Sequence, residues 1–315
     1  MSKFILSFDK INKSSVSQAG GKGASLGEMV GAGFPVPPGF VVSAAAFDKY
    51  LADSDIGVEI ESALDKVKSE DVESVEEAAE IIQHLIHQTK MDSDLQEEIL
   101  AEYKKLSAQF VAVRSSATAE DSKIDSWAGE LESYLDTTED ELLARVRDCW
   151  ASLFTPRAIF YRFARKLEKS QISVAVVVQK MIESAVAGVA FSVHPITKDH
   201  NQLIIEAGWG LGESIVLGKI TPDSYVIDKE KEEIIDLNIS EQEKKIIRQG
   251  DKGGVKEVPV PASHKNKQKL SAEKIIELAQ IVKKIEQHYC SPQDVEWAYA
   301  AGKFYVVQSR PITTL

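Results

Sequence analysis

Apolar and polar positions divide the chain into stretches of two periods. Valines at alternate positions, Val111 and Val113, open a run that ends in Arg114, Ser115, Ser116 and Thr118. This pattern predicts a strand that delivers an arginine and short hydroxyls at its end. Val174, Val176 and Val178 repeat the alternation over Ser173–Met181. Asp294–Tyr299 and Phe304–Pro311 alternate as well and predict a hairpin. A three-residue loop, Ala300-Ala301-Gly302, with glycine in the left-handed position, sets Tyr299 opposite Lys303 and Glu296 opposite Val306. On that register Glu296, Gln308 and Arg310 share one side, and Gln308 lies diagonally from Glu296 at about 7–8 Å between backbones.

Helical periods fill much of the remainder. Residues 57–106 are acidic and amphipathic, with Ala78, Ile81, Ile82, Leu85 and Ile86 as an intramolecular apolar stripe. Residues 137–167 predict a helix pair interrupted at Pro156, with Arg157, Arg162 and Arg165 on a solvated face. Ser271–Gln287 is a further helix. Residues 3–48 alternate short strands with a helix around Lys22, and 187–229 are strands broken by a Gly208–Gly212 loop. Residues 230–268 are charged and turn-rich.

Three of these stretches carry candidate chemistry. Arg114 at a strand end can hold phosphate oxygens, because its planar fork donates two parallel hydrogen bonds and keeps its charge. Lys22 stands within Gly20-Gly21-Lys22-Gly23, where glycines allow backbone amides to approach an anion and a helix start adds positive partial charge. This is not a Walker A loop, since Val16 replaces the first glycine and Gly23 the Ser/Thr. Glu296 and Gln308 present oxygen ligands of the kind Mg²⁺ accepts, with water and phosphate completing its octahedron.

Length and composition narrow the classes. With 315 residues, 43% of them hydrophobic, the chain can build two packed lobes. A net charge of −12 argues against a nucleic-acid surface. It also requires local cations and metal to outweigh the global field at a nucleotide, which screening over about 10 Å permits. Cys149 and Cys290 are too few and too far apart for a disulfide framework or metal site, and both read as reduced and structural. With no signal peptide and no apolar run of membrane-spanning length, the expectation is a cytoplasmic protein without membrane contact.

Gly20–Met29, Val36–Phe40, Val113–Asp121, Ser126–Glu130, Ala151–Phe154, Gln179–Ile182, Gly210–Glu213 and Asp294–Thr313 follow one another over nearly the whole chain. In this order they resemble the N-terminal ATP-binding region of the phosphoenolpyruvate synthase and pyruvate phosphate dikinase family, which includes rifamycin phosphotransferases. Gly210-Leu211-Gly212-Glu213 followed by Thr221–Tyr225 is most similar to phosphoenolpyruvate synthases. The resemblance implies an α+β ATP-grasp fold whose two lobes close on ATP. Residues 1–182, with a helical insert near 57–106, would form one lobe, and residues 183–315 the other.

The same resemblance implies roles for particular residues. Adenine would sit at the Ser173–Met181 strand, its rim read by edge-strand backbone, with Gln179, Met181 and Ile182 around it. Lys22 and Arg114 would bind phosphates, Gly129 would admit backbone to the triphosphate, and Ser133 would keep a hydroxyl where threonine is more usual. Glu296 and Gln308 would meet nucleotide and Mg²⁺, and Arg310 the transferring phosphates. Lys22, Arg114 and Arg310 thus become the catalytic candidates. Trp127 and Glu130 stand where Phe and Gln are more usual.

The implied reaction passes the pyrophosphoryl group of Mg-ATP to a histidine on a separate domain or chain, with release of AMP. None of His84, His87, His194, His200, His264 and His288 has the family's Thr-Ser-His-Ala-like setting, and only Ala262-Ser263-His264 approaches it. A phosphohistidine domain, in cis or in trans, is therefore the expected partner. The ATP domain of a rifamycin phosphotransferase and a non-catalytic nucleotide-sensing module are the alternatives.

Overall fold

The alternating valines build the centre of a sheet. In the structure, a computed structural model that describes residues 4–68, 70–118, 132–165, 167, 173–313 and 315, the chain divides into two units. One comprises Met1–Gly31 and Pro38–Met181, the other Ala32–Pro37 and Ile182–Leu315. Residues 32–37 go with the second unit because the Val306 amide donates to the Pro35 carbonyl at 2.9 Å and Phe34 packs edge-on against His288. Both units mix helix and sheet, so the class is α+β.

The first unit runs β1 (Ile5–Ser7), α1 (Val16–Gly31), β2 (Gly39–Val42), α2 (Ala44–Asp53), α3 (Ile56–Leu64), α4 (Val72–Gln88), α5 (Ser93–Lys105), β3 (Val111–Ala117), β4 (Ser133–Thr137), α6 (Glu139–Ala151), α7 (Pro156–Ala164) and β5 (Val174–Lys180). Its strands form an antiparallel sheet in the order β1-β2-β5-β3-β4. β5 is therefore the central strand and not an edge. Its backbone is paired with β2 on one side and β3 on the other, and the unbroken apolar run Val174–Val178 is buried throughout.

Phe40, Val42, Val111, Val113, Val174, Val176 and Val178 join one core with helical residues such as Ile82, Ile86, Ile99, Leu142 and Trp150. Side-chain caps set the helix starts. Asp71 and Asp92 accept amides of α4 and α5, and Thr138 with Glu141 forms a capping box on α6. α1 lies on the opposite face, where a Cβ added to Gly23 would come within 3.0 Å of Val41.

Three local expectations change. Ile81 leaves the apolar stripe and is exposed. Pro156 begins α7 rather than interrupting a helix, with Thr155 as its cap. Arg162 is buried, at 6% exposure, and burial lowers its pKa; it does not belong to a solvated face with Arg157 and Arg165.

The second unit runs β6 (Val186–Phe191), β7 (Gln202–Trp209), α8 (Glu213–Val216), β8 (Asp223–Asp228), β9 (Glu233–Asn238), β10 (Lys244–Arg248), β11 (Val255–Pro259), α9 (Ala272–Tyr289), β12 (Gln293–Ala300) and β13 (Lys303–Pro311). Six strands pair antiparallel in the order β13-β12-β6-β7-β8-β9, and β10 with β11 forms a separate hairpin. The charged stretch 230–268 thus supplies three strands. Their faces are mostly exposed, so they carry little of the apolar alternation that marks a strand in sequence. α9 buries Ile275, Leu278, Val282 and Ile285 and meets the sheet where Ile276 and Ala279 line a small cleft with Ile227. Among the described residues no helix is long and apolar enough to cross a membrane.

Candidate functional site

Each unit gathers part of the predicted set on one sheet face. In the first, Arg114 pairs with Ser133 on β4 and Val177 on β5, while Ala112 pairs with Gln179. Side chains two apart on a strand share a face. Arg114, Ser133, Ser116 and Gln179 therefore lie on the face that carries α1. Arg114 is half-buried, Ser133 exposed and Gln179 buried.

α1 is two helical segments that meet at Gly20, whose φ of 66° and ψ of 174° break the helix. A Cβ there would stand 2.2 Å from the Ser116 hydroxyl, so the close approach demands glycine. Beyond the break, the Lys22 and Gly23 amides donate to Ser116 Oγ at 3.1 and 3.4 Å. The glycine cluster is thus not an open loop offering those amides to an anion. They are spent on β3, and this fixes Lys22 on the same face as Arg114.

The hydroxyls after Arg114 are spent too. Ser115 Oγ donates to the Glu132 carbonyl and Thr118 Oγ1 to the Ser173 carbonyl, each at 3.0 Å. They fasten the strand end to the Glu132 and Ser173 carbonyls. Gly129, with Trp127 and Glu130, lies outside the described residues. The Met181 amide donates to Phe110 at the end of β5; Met181 and Ile182 are both half-buried, and Ile182 already belongs to the second unit.

In the second unit the hairpin departs from its expected register. Its turn has two residues, Ala301 and Gly302, both at positive φ (49° and 80°), which pairs Ala300 with Lys303, Tyr299 with Phe304 and Trp297 with Val306. The register then shifts, and Glu296 faces Gln308 while Asp294 faces Arg310. Val307 is the extra residue of a β-bulge. Without it Gln308 would take the side of the buried Val306. With it, Gln308 stands directly opposite Glu296 rather than diagonally, and Glu296, Gln308 and Arg310 do share a face.

Sequence reasoning missed Asp294, although it alternates with Glu296 and so occupies the same face. Its Oδ2 accepts from Arg310 Nε and Nη2, both at 2.8 Å. Its Oδ1 is buried without a hydrogen-bond partner. Burial pushes this carboxyl above the usual aspartate range; Arg310 opposes the rise and the charge of Glu296 adds to it. Glu206 on β7 was missed as well, though an acid inside Leu203–Ala207 was a signal in the sequence. Burial raises its pKa, and so does the charge of Asp294. Among the described residues no three His, Cys, Asp or Glu side chains converge to hold a metal alone.

The Gly208–Gly212 loop is clamped. Gln242 accepts from the Trp209 amide at 2.8 Å and donates to its carbonyl at 3.0 Å, and Leu211 donates to Ile246 on β10. Gly210, at φ 88°, passes so close to Ile246 that a Cβ would lie 2.4 Å from its carbonyl oxygen.

Residues 16–315 match the family model for the pyruvate phosphate dikinase AMP/ATP-binding domain. The chain belongs to this family. Over 320 residues it is 44% identical to a protein named probable phosphoenolpyruvate synthase from Methanocaldococcus jannaschii, covering 99% of this chain and 27% of that one. It is 40% identical over 359 residues to a phosphoenolpyruvate synthase from Pyrococcus furiosus, covering 99% and 44%. Over 317 residues it is 43% identical to a probable phosphoenolpyruvate synthase from Archaeoglobus fulgidus, covering 99% and 42%. The chain therefore spans less than half the length of these relatives, and as a family member it is an ATP/AMP-binding domain.

Proposed function

We propose that this domain has the ATP-grasp fold and serves a phosphoenolpyruvate synthase-type dikinase. It transfers the β,γ-pyrophosphoryl group of ATP to a histidine on another domain or chain and leaves AMP. The observation that carries the reading is the bulge at Val307. It sets Glu296 against Gln308 and Asp294 against Arg310 on one face. A shift that re-aims two side chains onto one face is the kind of irregularity that sheets keep beside functional sites.

Lys22 and Arg114 hold phosphate oxygens, Arg114 through its planar fork. Gln179, Met181 and Ile182 surround the base, while Ser133 and Gly129 lie along the triphosphate. Arg310, oriented by two bonds to Asp294, meets the group in transit. The bond between Pβ and the α,β-bridging oxygen breaks, AMP leaves with that oxygen, and Pβ bonds to the acceptor nitrogen. Fixed charges aimed at the moving oxygens provide the rate enhancement, together with positioning.

Mg²⁺ fits the donor set of Glu296 and Gln308, hard oxygens beside a buried Asp294 Oδ1 that lacks a partner. When bound it would neutralise phosphate charge. A cytoplasmic setting belongs to the same proposal and suits two free thiols, Cys149 and the exposed Cys290.

The test separates AMP from ADP by chromatography. The chain is mixed with Mg-ATP and the phosphohistidine domain of its own system at about millimolar concentration, near the effective concentration a tether supplies. AMP should accumulate only when both proteins are present. Rapid ADP formation by the chain alone would show an ordinary kinase or ATPase. No AMP at high partner concentration would show a nucleotide-sensing module.

A further inference from the structure

The far end of the β12–β13 hairpin carries Asp294 and Arg310 on one face and a polar network on the other. Gln293, buried at the start of β12, is fixed through both its backbone and its side chain. Its amide donates to Ser192 Oγ at 2.8 Å, and its carbonyl accepts from the Ser192 amide at 2.9 Å. Ser192 Oγ donates in turn to Glu286 Oε1 on α9 at 3.0 Å, and Glu286 Oε2 pairs with Lys229 Nζ at 2.8 Å. The side-chain Nε2 of Gln293 donates to Ser291 Oγ at 3.0 Å and to the Ser291 carbonyl at 3.3 Å. A carbonyl can only accept, so these bonds fix which end of the Gln293 amide is oxygen. That oxygen, Oε1, accepts from Ser309 Oγ on β13 at 2.9 Å.

This last bond exists in one register only. In the bulged hairpin Ser309 faces Val295, so its hydroxyl lies on the same side as Gln293 and away from Asp294. Were the pairing of Trp297 with Val306 to run on without a bulge, Val295 would meet Gln308 and Asp294 would meet Ser309. Ser309 would then project to the face of Asp294, out of reach of Gln293, and Gln308 and Arg310 would leave that face. β13 is an edge strand, and Pro311 has no amide to give its last rung. Gln308-Ser309-Arg310 is polar on both faces, so apolar burial does not choose its register.

We propose that Gln293 and Ser309 are positioning residues. Their hydrogen bond, on the reverse face of the sheet, locks the bulged register and so delivers Gln308 and Arg310 to the nucleotide face. The inference rests on the role proposed above for those two side chains in phosphoryl transfer. Gln293 is the fixed point, anchored through Ser192 to Glu286, and Ser309 sets β13 against it. Neither lies on the nucleotide face. Each acts through Arg310, which finds both of its 2.8 Å bonds to Asp294 in this register.

Ser309→Ala removes the donor without adding bulk. Proton exchange of the Arg310 Nε–H, followed by heteronuclear NMR on the nucleotide-free chain, reads the lock, with Arg310→Lys assigning the signal. Asp294 holds this proton in the parent. It should exchange about tenfold faster in Ser309→Ala, the scale of one lost hydrogen bond. AMP formation with the phosphohistidine partner should fall about 10- to 100-fold in kcat, the scale of a misplaced reacting group. The circular dichroism spectrum should not change. Ser309→Thr, which keeps the hydroxyl, should restore slow exchange and most of the turnover. Exchange within about twofold of the parent in Ser309→Ala would overturn the proposal. It would do so even if the variant melts earlier, because the bond would then support the fold without setting the register. Faster exchange with AMP formation unchanged would also overturn it, since the register would not matter to the reaction. Absence of AMP from the parent would overturn the phosphoryl-transfer reading instead, while the exchange measurement still decides the lock.

Discussion

Asp223, at the start of β8, and Asp294, near the start of β12, are buried aspartates of one sheet, at 0% and 8% exposure. Asp223 accepts from the Ser240 amide at 3.0 Å, the Lys269 amide at 3.0 Å, Lys269 Nζ at 2.7 Å and the Tyr225 hydroxyl at 2.7 Å. Lys269, whose side chain is wholly buried, also donates to the Ser240 carbonyl. Burial beside Asp223 pushes the Tyr225 hydroxyl far above the ordinary phenol range, so it remains a neutral donor. Every charge in this cluster is answered from within the chain, and the result ties β8 to the connection at Ser240 between β9 and β10 and to the segment leading into α9. At Asp294 only one oxygen is answered. The first aspartate is answered wholly from within the chain, whereas the second keeps one buried oxygen without a hydrogen-bond partner.

That contrast can be broken most forcefully at Lys269. Lys269→Met should remove about 3–5 kcal/mol of stability, because it strands a buried carboxylate. Urea unfolding would show this as a lower midpoint, while the fraction that stays folded should bind nucleotide as the parent does. A loss below about 1 kcal/mol would mean that the Asp223 cluster is not the closed unit its hydrogen bonds indicate.

Arg114→Ala should act in the opposite way, on rate rather than fold. Removing one preorganised donor for developing charge costs about 10²–10³ in turnover. AMP production with the phosphohistidine partner is the readout, and the melting temperature should stay near the parent value. Activity within about threefold would exclude Arg114 from the site.

Ser116→Ala should cost about 1–3 kcal/mol, since it leaves the Lys22 amide without its acceptor. Nucleotide affinity should fall with it, as the start of the Lys22 segment loosens. Calorimetry and thermal melts report the two effects separately. Unchanged affinity would show that Ser116 supports the fold without placing Lys22.

The smallest effect is expected at Glu206. Its folded pKa is raised, so the folded state holds more protons than the unfolded chain as pH climbs above the ordinary glutamate range. Stability from this group is full below the unfolded pKa and is lost as pH rises through the folded one. Without divalent cation, Glu206→Gln should therefore melt above the parent at pH 7, with the gain shrinking as pH falls toward about 4. A gain that persists unchanged in acid would trace to packing rather than to charge.

The sequence by itself located the strands that matter. Val111–Val113, Val174–Val178 and the run around Glu296 each show period two, a local property of neighbouring side chains. It also supplied the charges, with Lys22, Arg114, Glu296 and Arg310 readable as chemistry, and the ordered motifs that identify the family. It did not show that β5 is central, because burial on both faces depends on β2 and β3, which are remote in the chain. Nor did it show that Ser115, Ser116 and Thr118 are spent, since their partners at Glu132, Lys22 and Ser173 lie 17 to 94 residues away. Asp294 was visible as a residue but not as a half-satisfied one.

The clearest case is Gln308. A strand's period fixes which residues alternate, but one inserted residue exchanges the faces of everything beyond it. Whether Val307 bulges depends on how a two-residue turn and the twist of the paired strands meet the burial of Trp297 and Val306 on one side. That balance exists only once the strands are paired.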